Sequence, residues 1–326
     1  MSEILARLDE LYAIGATRIG GSPEEDEAHR LVAGWLEEAG FEVFADAVGN
    51  TFGRRGDGRI WAGSHLDSVP NGGRFDGALG VVGAIAAAGL TDAPLTIVAF
   101  RNEERGCTGS RACVSAGGMP DAYFELHVEQ GPVLERAKEP IGIVTAIFGQ
   151  VHGEVVFEGR AGHAGTTPMD ARSDALVEAA GFILRVRDAA APGTVATVGR
   201  VGVEPGVVNV VPARVSVSVD ARAATAAELD ALVAAIGFEP NDRVEPAPMS
   251  GAPHEALRAA APGVPELLSG AGHDAAILAT AGVPCGMLFV RSLNGGISHS
   301  AEELSSIEDI DRAVSVLGDA LDRIAR

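Results

Sequence analysis

Apolar segments of two kinds alternate along this chain, and their alternation restricts the fold more than any other feature. Residues 77–90 form an apolar, glycine-rich run of helical length, and Leu95–Phe100 is a short apolar run typical of a buried strand. Helices that alternate with buried strands connect those strands in parallel and cover both faces of the sheet. We therefore predict an α/β fold built on an open, mostly parallel sheet with helices on both faces.

The middle of the chain follows a different pattern, which predicts a separate domain. Segments that alternate with period two are interspersed with amphipathic helices. The order is a strand (154–159), a helix (174–189), two strands (194–203 and 213–222), a helix (225–236) and a short strand near Val244. This β-α-β-β-α-β order is typical of a small α+β unit with helices on one face. We predict that residues 142–249 form this unit and interrupt a main domain of residues 1–141 and 250–326.

Acidic residues and histidines occur near the ends of predicted strands and in glycine-rich loops. The candidates are His65 (after IWAGS), Asp76 (in NGGRFDG), Glu103 and Glu104 (after LTIVAFRN), His127 (in YFELHVE) and His299 (in GGISHS). In open α/β sheets, ligands bind beyond the carboxyl ends of the strands. Imidazoles and carboxylates suit Zn²⁺ or Mn²⁺, and five ligands exceed what one four-coordinate ion needs. The set therefore predicts two ions that share a bridging carboxylate, with Glu103 left as the base for metal-assisted hydrolysis.

Each candidate also has an ordinary structural explanation when it is taken alone. Asp76 can cap the helix that follows it, and the Glu103–Glu104 pair can lie in a solvated loop. The histidines can be hydrogen-bonded loop or edge residues, although Asp67, two residues from His65 on the same strand, can orient that imidazole for a metal. The combination of these residues in one predicted domain favours the metal site over the separate explanations.

Polar residues outside this set leave two further questions open. In the predicted inserted domain, Asn209 and Arg222 lie near strand ends, where an amide and a guanidinium can clamp a substrate carboxylate. Edge-strand polar residues of no special role are the alternative. His273–Asp274 in SGAGHDA precedes a predicted helix, so this pair either caps that helix or lies near the metals.

Bulk composition excludes several classes of partner. The formal net charge of −20 argues against nucleic acid and anionic membranes as partners. The three cysteines lack C-x-x-C spacing, so they indicate neither a disulfide framework nor a cysteine metal site. The N-terminal residues lack the pattern of a signal peptide. We therefore expect a cytoplasmic protein that binds no nucleic acid and no membrane.

Five segments resemble motifs of one enzyme family and together span nearly the whole chain. They are GSHLDSVPNGGRFDGALGV, ELHVEQGPVLE, GRAGHAGTTPM, SGAGHDA and GGISHSAEE. They resemble the M20 metallohydrolases, and specifically the hydantoinase/carbamoylase branch. That branch includes N-carbamoyl-L-amino-acid hydrolases, allantoate amidohydrolases and β-ureidopropionases. The histidine of ELHVEQ is typical of this branch, whereas peptidase relatives place an acidic residue there.

The resemblance implies a role for each matching residue. The implied ligands of two divalent ions (Zn, or Mn, Co or Ni) are His65, Asp76, Glu104, His127 and His299, with Asp76 as the bridge. The implied catalytic residues are Glu103, as general base, and His163, which stabilises the oxyanion in the active site of a partner subunit. The implied substrate-binding residues are Gln130, Asn209 and Arg222. The resemblance also implies a cis peptide bond between Asp76 and Gly77, and a homodimer formed through the inserted lid domain.

The chain departs from the family pattern near the expected substrate pocket. NEERGCTGSRA is shorter than its counterpart in relatives and lacks an extra arginine, and the stretch from Ser110 to Glu125 is also short. The expected substrate is an N-carbamoyl (ureido) L-amino acid or an allantoate-like molecule that bears a carboxylate. The alternatives are an M20 aminoacylase or dipeptidase that cleaves an amide bond, and a catalytically silent binding protein. Because no ligand and no base is missing, the sequence favours an enzyme.

Overall fold

The computed structural model of the chain describes residues 3–325 and divides into two compact units. One unit contains the described residues up to Ile147 together with those from Pro248 onward, and the other is Phe148–Ala247. The expected first boundary at residue 142 is therefore too early. The reason is that Ile141–Ile147 forms a strand that pairs within the large sheet of the first unit.

The helices and strands follow in three groups along the chain. The first is α1 (Glu3–Ile14), α2 (Pro23–Glu38), β1 (Glu42–Ala45), β2 (Thr51–Arg55), β3 (Ile60–His65), α3 (Ala78–Ala88), β4 (Leu95–Phe100), α4 (Thr108–Ser115), β5 (Ala122–Val128), α5 (Val133–Ala137) and β6 (Ile141–Ile147). The second is β7 (Gly149–Glu158), β8 (Gly162–His163), a 3-10 turn (Met169–Ala171), α6 (Ala175–Ala189), β9 (Thr194–Thr197), β10 (Val201–Glu204), β11 (Val210–Val211), β12 (Arg214–Ala223), α7 (Ala226–Ile236) and β13 (Asp242–Val244). The third is β14 (Ala247–Pro248), α8 (Gly251–Ala260), β15 (Glu266–Ser269), α9 (Asp274–Thr280), β16 (Cys285–Val290) and α10 (Ile307–Ile324). Within residues 3–325, we find no helix with the length and apolar character needed to cross a membrane.

The large sheet has a parallel centre, as predicted. Its order is β1-β2-β4-β3-β5-β16-β6-β14, and β15 also pairs with β6. The adjacent strands β4, β3, β5 and β16 run parallel, whereas the β1–β2, β2–β4 and β16–β6 pairs are antiparallel. Strand β2 was not predicted, because TFGRR is short and has little apolar alternation. The α/β class is confirmed.

Helix α3 packs very closely against the sheet. Nearly all of its residues are buried, consistent with its uniform apolar sequence. A Cβ atom added at Gly80 would overlap the carbonyl oxygen of Leu126 and the Cβ of Ser64. Glycine at this position therefore lets the start of α3 approach the ends of β3 and β5, where several of the candidate ligands lie.

The second unit is an antiparallel sheet covered by two helices. Its order is β10-β12-β7-β13, and β9 also pairs with β12. Helices α6 and α7 share a core with the inward residues of the sheet, including Phe182, Val217 and Leu232. The observed order differs from the expected β-α-β-β-α-β in two respects. Residues 194–203 form two short strands instead of one, and β8 and β11 form a separate two-stranded pair.

We expect Gly80→Ala to destabilise the first unit by about 1–3 kcal/mol, because the added methyl group overpacks the contact of α3 with the sheet. Gly34→Ala is the matched control, since Gly34 lies in α2 and an added Cβ there would meet nothing within 4 Å. That control should be neutral or stabilising by up to about 1 kcal/mol. Urea unfolding followed by circular dichroism measures both changes, and equal midpoints for the two variants would contradict the packing argument.

Candidate metal centre

Three adjacent parallel strands of the first unit end at one edge of the sheet. His65 is the last residue of β3 and pairs with Phe100, the last residue of β4. His127 is the next-to-last residue of the neighbouring strand β5. Glu103 and Glu104 follow β4 after two residues. The structure therefore brings candidates from three strand ends together, where ligands of such sheets bind.

The Asp76 carboxylate lies at the centre of the candidate site. Its Oδ1 lies 3.8 Å from Nε2 of His65 and 3.3 Å from Nε2 of His127. Its Oδ2 lies 3.3 Å from Nε2 of His299, and that nitrogen is 3.6 Å from Oε2 of Glu104. Each Asp76 oxygen thus faces a separate group of ligand atoms, and the atoms of each group lie within 4.8 Å of one another. This geometry suits a carboxylate that bridges two ions.

Two of the histidines are oriented by backbone carbonyl groups. Nδ1 of His65 lies 3.2 Å from the carbonyl oxygen of Asp67, and Nδ1 of His127 lies 3.0 Å from that of Val128. A carbonyl oxygen only accepts, so in each neutral ring Nδ1 carries the proton and Nε2 keeps its lone pair. Once each ring is neutral, its Nε2 lone pair therefore faces the side where Asp76 lies and is available to an ion. Metal-binding histidines are commonly fixed by an outer partner of this kind.

The chain turns sharply between Asp76 and α3. Gly77 takes the N-cap position of α3 with φ 63°, and the Asp76 carboxylate is directed at the candidate histidines and Gln130 instead of at the first turn of this helix. A Cβ at Gly77 would overlap the His65 ring, so glycine allows the imidazole to pack against the turn. The expected cis bond between Asp76 and Gly77 is wrong, because the positive φ of Gly77 makes the turn with a trans bond.

The two adjacent glutamates are held by a third carboxylate. Asp67 accepts hydrogen bonds from the backbone N–H groups of Glu103 (2.9 Å) and Glu104 (3.2 Å). The Glu103 side chain is 9% exposed. Burial raises the pKa of Glu103 to about 7; the charge of His65 opposes this rise, and that of Glu104 adds to it. A carboxylate with a pKa near neutrality can both accept and return a proton, as a general base requires.

Two buried polar atoms of this site make no hydrogen bond within the part of the chain that the structure describes. They are Nε2 of His127 and Oε1 of Glu104. A buried polar atom without a partner is costly. The two atoms belong to the two different groups around Asp76, so one cation in each group would satisfy both. Imidazole and carboxylate donors suit Zn²⁺, Mn²⁺, Co²⁺ or Ni²⁺, and the residues therefore fit divalent ions.

Gln130, which the resemblance implies as a substrate-binding residue, contacts the same carboxylate. Its backbone has φ 56°, and its Nε2 donates to Oδ2 of Asp76 (3.0 Å) and to Oγ of Ser298 (3.2 Å). The structure thus brings Gln130 into the candidate site. Its amide group holds Asp76 directly, and its role toward a substrate stays a prediction.

The other three predicted residues lie in the second unit. His163 ends β8, and the carbonyl oxygen of Asn209, just before β11, accepts from the backbone N–H of Ala164 at 3.0 Å. Arg222 lies near the end of β12, where Asp220 accepts from its Nε (2.9 Å) and Nη2 (2.7 Å). The β8–β11 pair therefore brings His163 and Asn209 near each other, whereas Arg222 belongs to the five-stranded sheet.

The sequence left open whether His273 caps α9 or lies near the candidate site. It did not identify Glu125 as a candidate residue. The His273 ring lies edge-on to that of His127, with 4.6 Å between ring centroids, and it makes no capping bond to α9. His273 therefore lies beside a candidate ligand. Glu125 is buried and accepts from Oγ of Ser64 at 2.7 Å. Its spacing of two residues from His127 was an available signal, because residues two apart on a strand point the same way.

Comparisons with known proteins decide the family. The sequence model described as "Peptidase family M20/M25/M40" matches residues 61–323. The chain belongs to this family. An N-carbamoyl-L-amino acid amidohydrolase of Geobacillus stearothermophilus is 36% identical, over 93% of this chain and 92% of the relative. An allantoate amidohydrolase of Bacillus subtilis is 32% identical, over 95% and 93% of the two chains.

A solved structure supports the same assignment within the family. The amidase of the hydantoinase/carbamoylase family from Burkholderia multivorans is 32% identical, covers 99% of this chain and 97% of that chain, and superposes with a TM-score of 0.90. The predicted resemblance to the hydantoinase/carbamoylase branch is therefore confirmed, and so is the assignment of the chain to an amidohydrolase family.

This chain is shorter than its carbamoylase relative. The alignment extends over 378 positions although the chain has 326 residues, so at least 52 positions of the relative have no counterpart here. In the structure, α4 and β5 are joined by residues 116–121 alone. The short connection lies within the stretch that the sequence predicted to be reduced.

We expect the affinity for zinc to rise with pH between about 6.5 and 9. Burial lowers the pKa of His127, but contact with Asp76 outweighs it and raises that pKa to about 9. Contact with Asp76 also raises the pKa of His299 to about 9. Zinc binds neutral imidazole, so these protons must leave, and each displaced proton weakens binding by about tenfold per pH unit below the pKa.

The stability of the ion-free protein should change in the opposite direction. A histidine whose folded pKa is raised stabilises the fold fully below its usual pKa of 6.5, and this contribution is lost as pH rises through 9. Competition titrations with a zinc indicator at pH 6.5 and 9 measure the affinity, and thermal unfolding in chelator measures the stability. An affinity that does not change with pH would contradict the protonated state of both histidines.

Proposed function

We propose that this protein hydrolyses the ureido C–N bond of N-carbamoyl-L-amino acids or allantoate-like substrates, with two divalent ions per chain. The observation that carries the proposal is the Asp76 carboxylate, whose two oxygens face two separate groups of ligand atoms. Glu103, a buried carboxylate, lies beside these groups, with Oε2 3.8 Å from Nε2 of His65. Relatives that act on N-carbamoyl amino acids and on allantoate support the choice of a ureido substrate.

Glu103 supplies the proton transfers in this proposal. Bound divalent ions would polarise the substrate carbonyl and lower the pKa of the attacking water. Glu103 accepts a proton from that water as its oxygen bonds to the carbonyl carbon. Glu103 then returns the proton to the leaving nitrogen as the C–N bond breaks. With an N-carbamoyl amino acid, this step gives the free amino acid and carbamic acid, which then breaks down to carbon dioxide and ammonia.

Recognition of the substrate carboxylate is assigned to the second unit of a partner subunit. The Nε and Nη2 atoms of Arg222 donate to Asp220, and in this proposal the guanidinium exchanges part of that ion pair for the substrate carboxylate, since guanidinium groups bind carboxylates through paired hydrogen bonds. Asn209 adds an amide to this recognition, and His163 stabilises the oxyanion. The proposal therefore includes a homodimer formed through the second unit, acting in the cytoplasm on a small molecule.

A substrate panel tests the proposal directly. We expect the zinc- or manganese-loaded protein to release amino acid from N-carbamoyl-L-amino acids, or ammonia from allantoate, faster than it cleaves N-acetyl amino acids or dipeptides. Preferential cleavage of the amides would instead support an aminoacylase or dipeptidase, a possibility that the short 105–121 region keeps open. Absence of turnover on every substrate with every metal would favour a binding protein.

The same panel separates carboxylate recognition from chemistry. Arg222→Ala should raise KM for carboxylate-bearing substrates by about 10- to 100-fold, because a hydrogen bond to a charged group contributes about 1.5–3 kcal/mol. Arg200→Ala removes an exposed guanidinium from the same unit, where it pairs with Glu154, and serves as the matched control. An unchanged KM in Arg222→Ala would remove this residue from the substrate site.

Glu103→Gln should lower kcat by about 100-fold or more while the protein still binds its ions, because the amide cannot accept the proton from water. Glu139→Gln, which changes an exposed glutamate in the same way, should retain full activity. Steady-state kinetics combined with metal analysis of each purified variant provides the measurement. Substantial turnover by Glu103→Gln would reject the assigned base.

A further inference from the structure

A buried glutamate outside the predicted ligand set holds the turn that carries Asp76. Glu303 is 5% exposed and lies far away in the sequence, in the segment after His299. Its Oε2 accepts hydrogen bonds from the backbone N–H groups of Phe75 (2.7 Å) and Asp76 (3.0 Å). One carboxylate oxygen therefore fixes two consecutive backbone amides, and the second of them belongs to the central ligand.

The other oxygen of Glu303 completes a closed set of hydrogen bonds. Oε1 accepts from Oγ of Ser298 at 2.9 Å. The same hydroxyl accepts from Nε2 of Gln130 at 3.2 Å, and that amide also donates to Oδ2 of Asp76 at 3.0 Å. The side chain and the backbone of Asp76 are thus held by one connected network. Because hydrogen bonds around a closed path restrain one another, the network restricts the orientation of the Asp76 carboxylate.

Burial of the charged Glu303 side chain costs electrostatic free energy. A contact that only stabilised the fold would not need a charged group at this position. Its carboxylate is buried and accepts from the backbone N–H of Asp76, so it lies close to another buried carboxylate. Like charges in a buried region repel one another. Two backbone amides and one hydroxyl offset this cost by stabilising the carboxylate. The side chain of Glu303 also fills the space where a Cβ at Gly73 would lie.

We propose that Glu303 is a positioning residue that aims the Asp76 carboxylate at both ion sites, so that binding of both ions depends on it. The inference rests on the proposed function, because it assumes that Asp76 bridges two ions. Asp67 provides the precedent within this chain, since it also accepts from two consecutive backbone amides and thereby fixes Glu103 and Glu104. Outer hydrogen bonds of this kind commonly change metal affinity by about 10- to 100-fold.

Zinc binding to the purified protein tests the inference without any substrate. We expect Glu303→Ala to weaken both zinc sites by about 10- to 100-fold in a competition titration with a chelating indicator. Glu302→Ala is the matched control, because Glu302 is the adjacent, exposed glutamate, and its affinity should equal that of the wild type. Glu303→Gln should restore most of the affinity, since the amide oxygen can still accept from both backbone N–H groups.

The outcomes separate this inference from the proposed function. If the wild-type protein binds no zinc, the proposed function fails. If the wild type binds two zinc ions and Glu303→Ala binds them equally well, the proposed function stands and the role of Glu303 is overturned. A loss confined to one of the two sites would also overturn the inference, because a shared carboxylate affects both.

A thermal readout distinguishes positioning from a purely structural contribution. Ligands that bind only the folded state raise its unfolding temperature according to their affinity. The zinc-induced rise should therefore shrink in Glu303→Ala, whereas a structural role would lower the transitions of ion-free and zinc-loaded protein alike. If Glu303→Ala does not fold, Ser298→Ala decides, because it breaks the same network at a smaller side chain: weaker zinc binding supports the inference, and unchanged binding overturns it.

Discussion

Repulsion among buried carboxylates is the constraint on which the organisation of the first unit depends. Asp76, Glu103 and Glu104 lie together at the edge of the sheet, and the first two are almost fully buried. Water cannot screen their charges there, so the protein must supply compensation through histidines, backbone amides and, in the proposed function, cations. His65, His127 and His299 lie against the Asp76 carboxylate and provide part of it.

The fold was predictable from sequence wherever burial and periodicity agreed. Leu95–Phe100 and Cys285–Val290 are uniformly apolar and form buried parallel strands, as such runs usually do. Thr51–Arg55 was missed because an antiparallel strand next to the sheet edge needs only partial apolar character. The first domain boundary was placed too early because IGIVTAI resembles a strand of either unit, and only its pairing with β16 assigns it to the large sheet.

The candidate ligands could be proposed from sequence because each has unusual chemistry in a conspicuous context, but the residues that orient them could not. Glu303 lies in a motif that was noticed, yet nothing in that motif shows that its carboxylate accepts from backbone amides more than two hundred residues away. The trans bond between Asp76 and Gly77 could not be predicted from sequence either, since the turn there is made by the positive φ of Gly77. Contacts made to backbone groups depend little on residue type, so the sequence does not predict them.

The order of the candidate ligands along the polypeptide has a consequence for how the protein matures. Four of them precede the second unit, and His299 follows it. A ribosome therefore completes the entire intervening unit before the last imidazole emerges, and the acidic residues of the nascent chain meanwhile stay hydrated or protonated. The candidate site is complete only at the closing stage of biogenesis, when distant segments of the polypeptide have already come together.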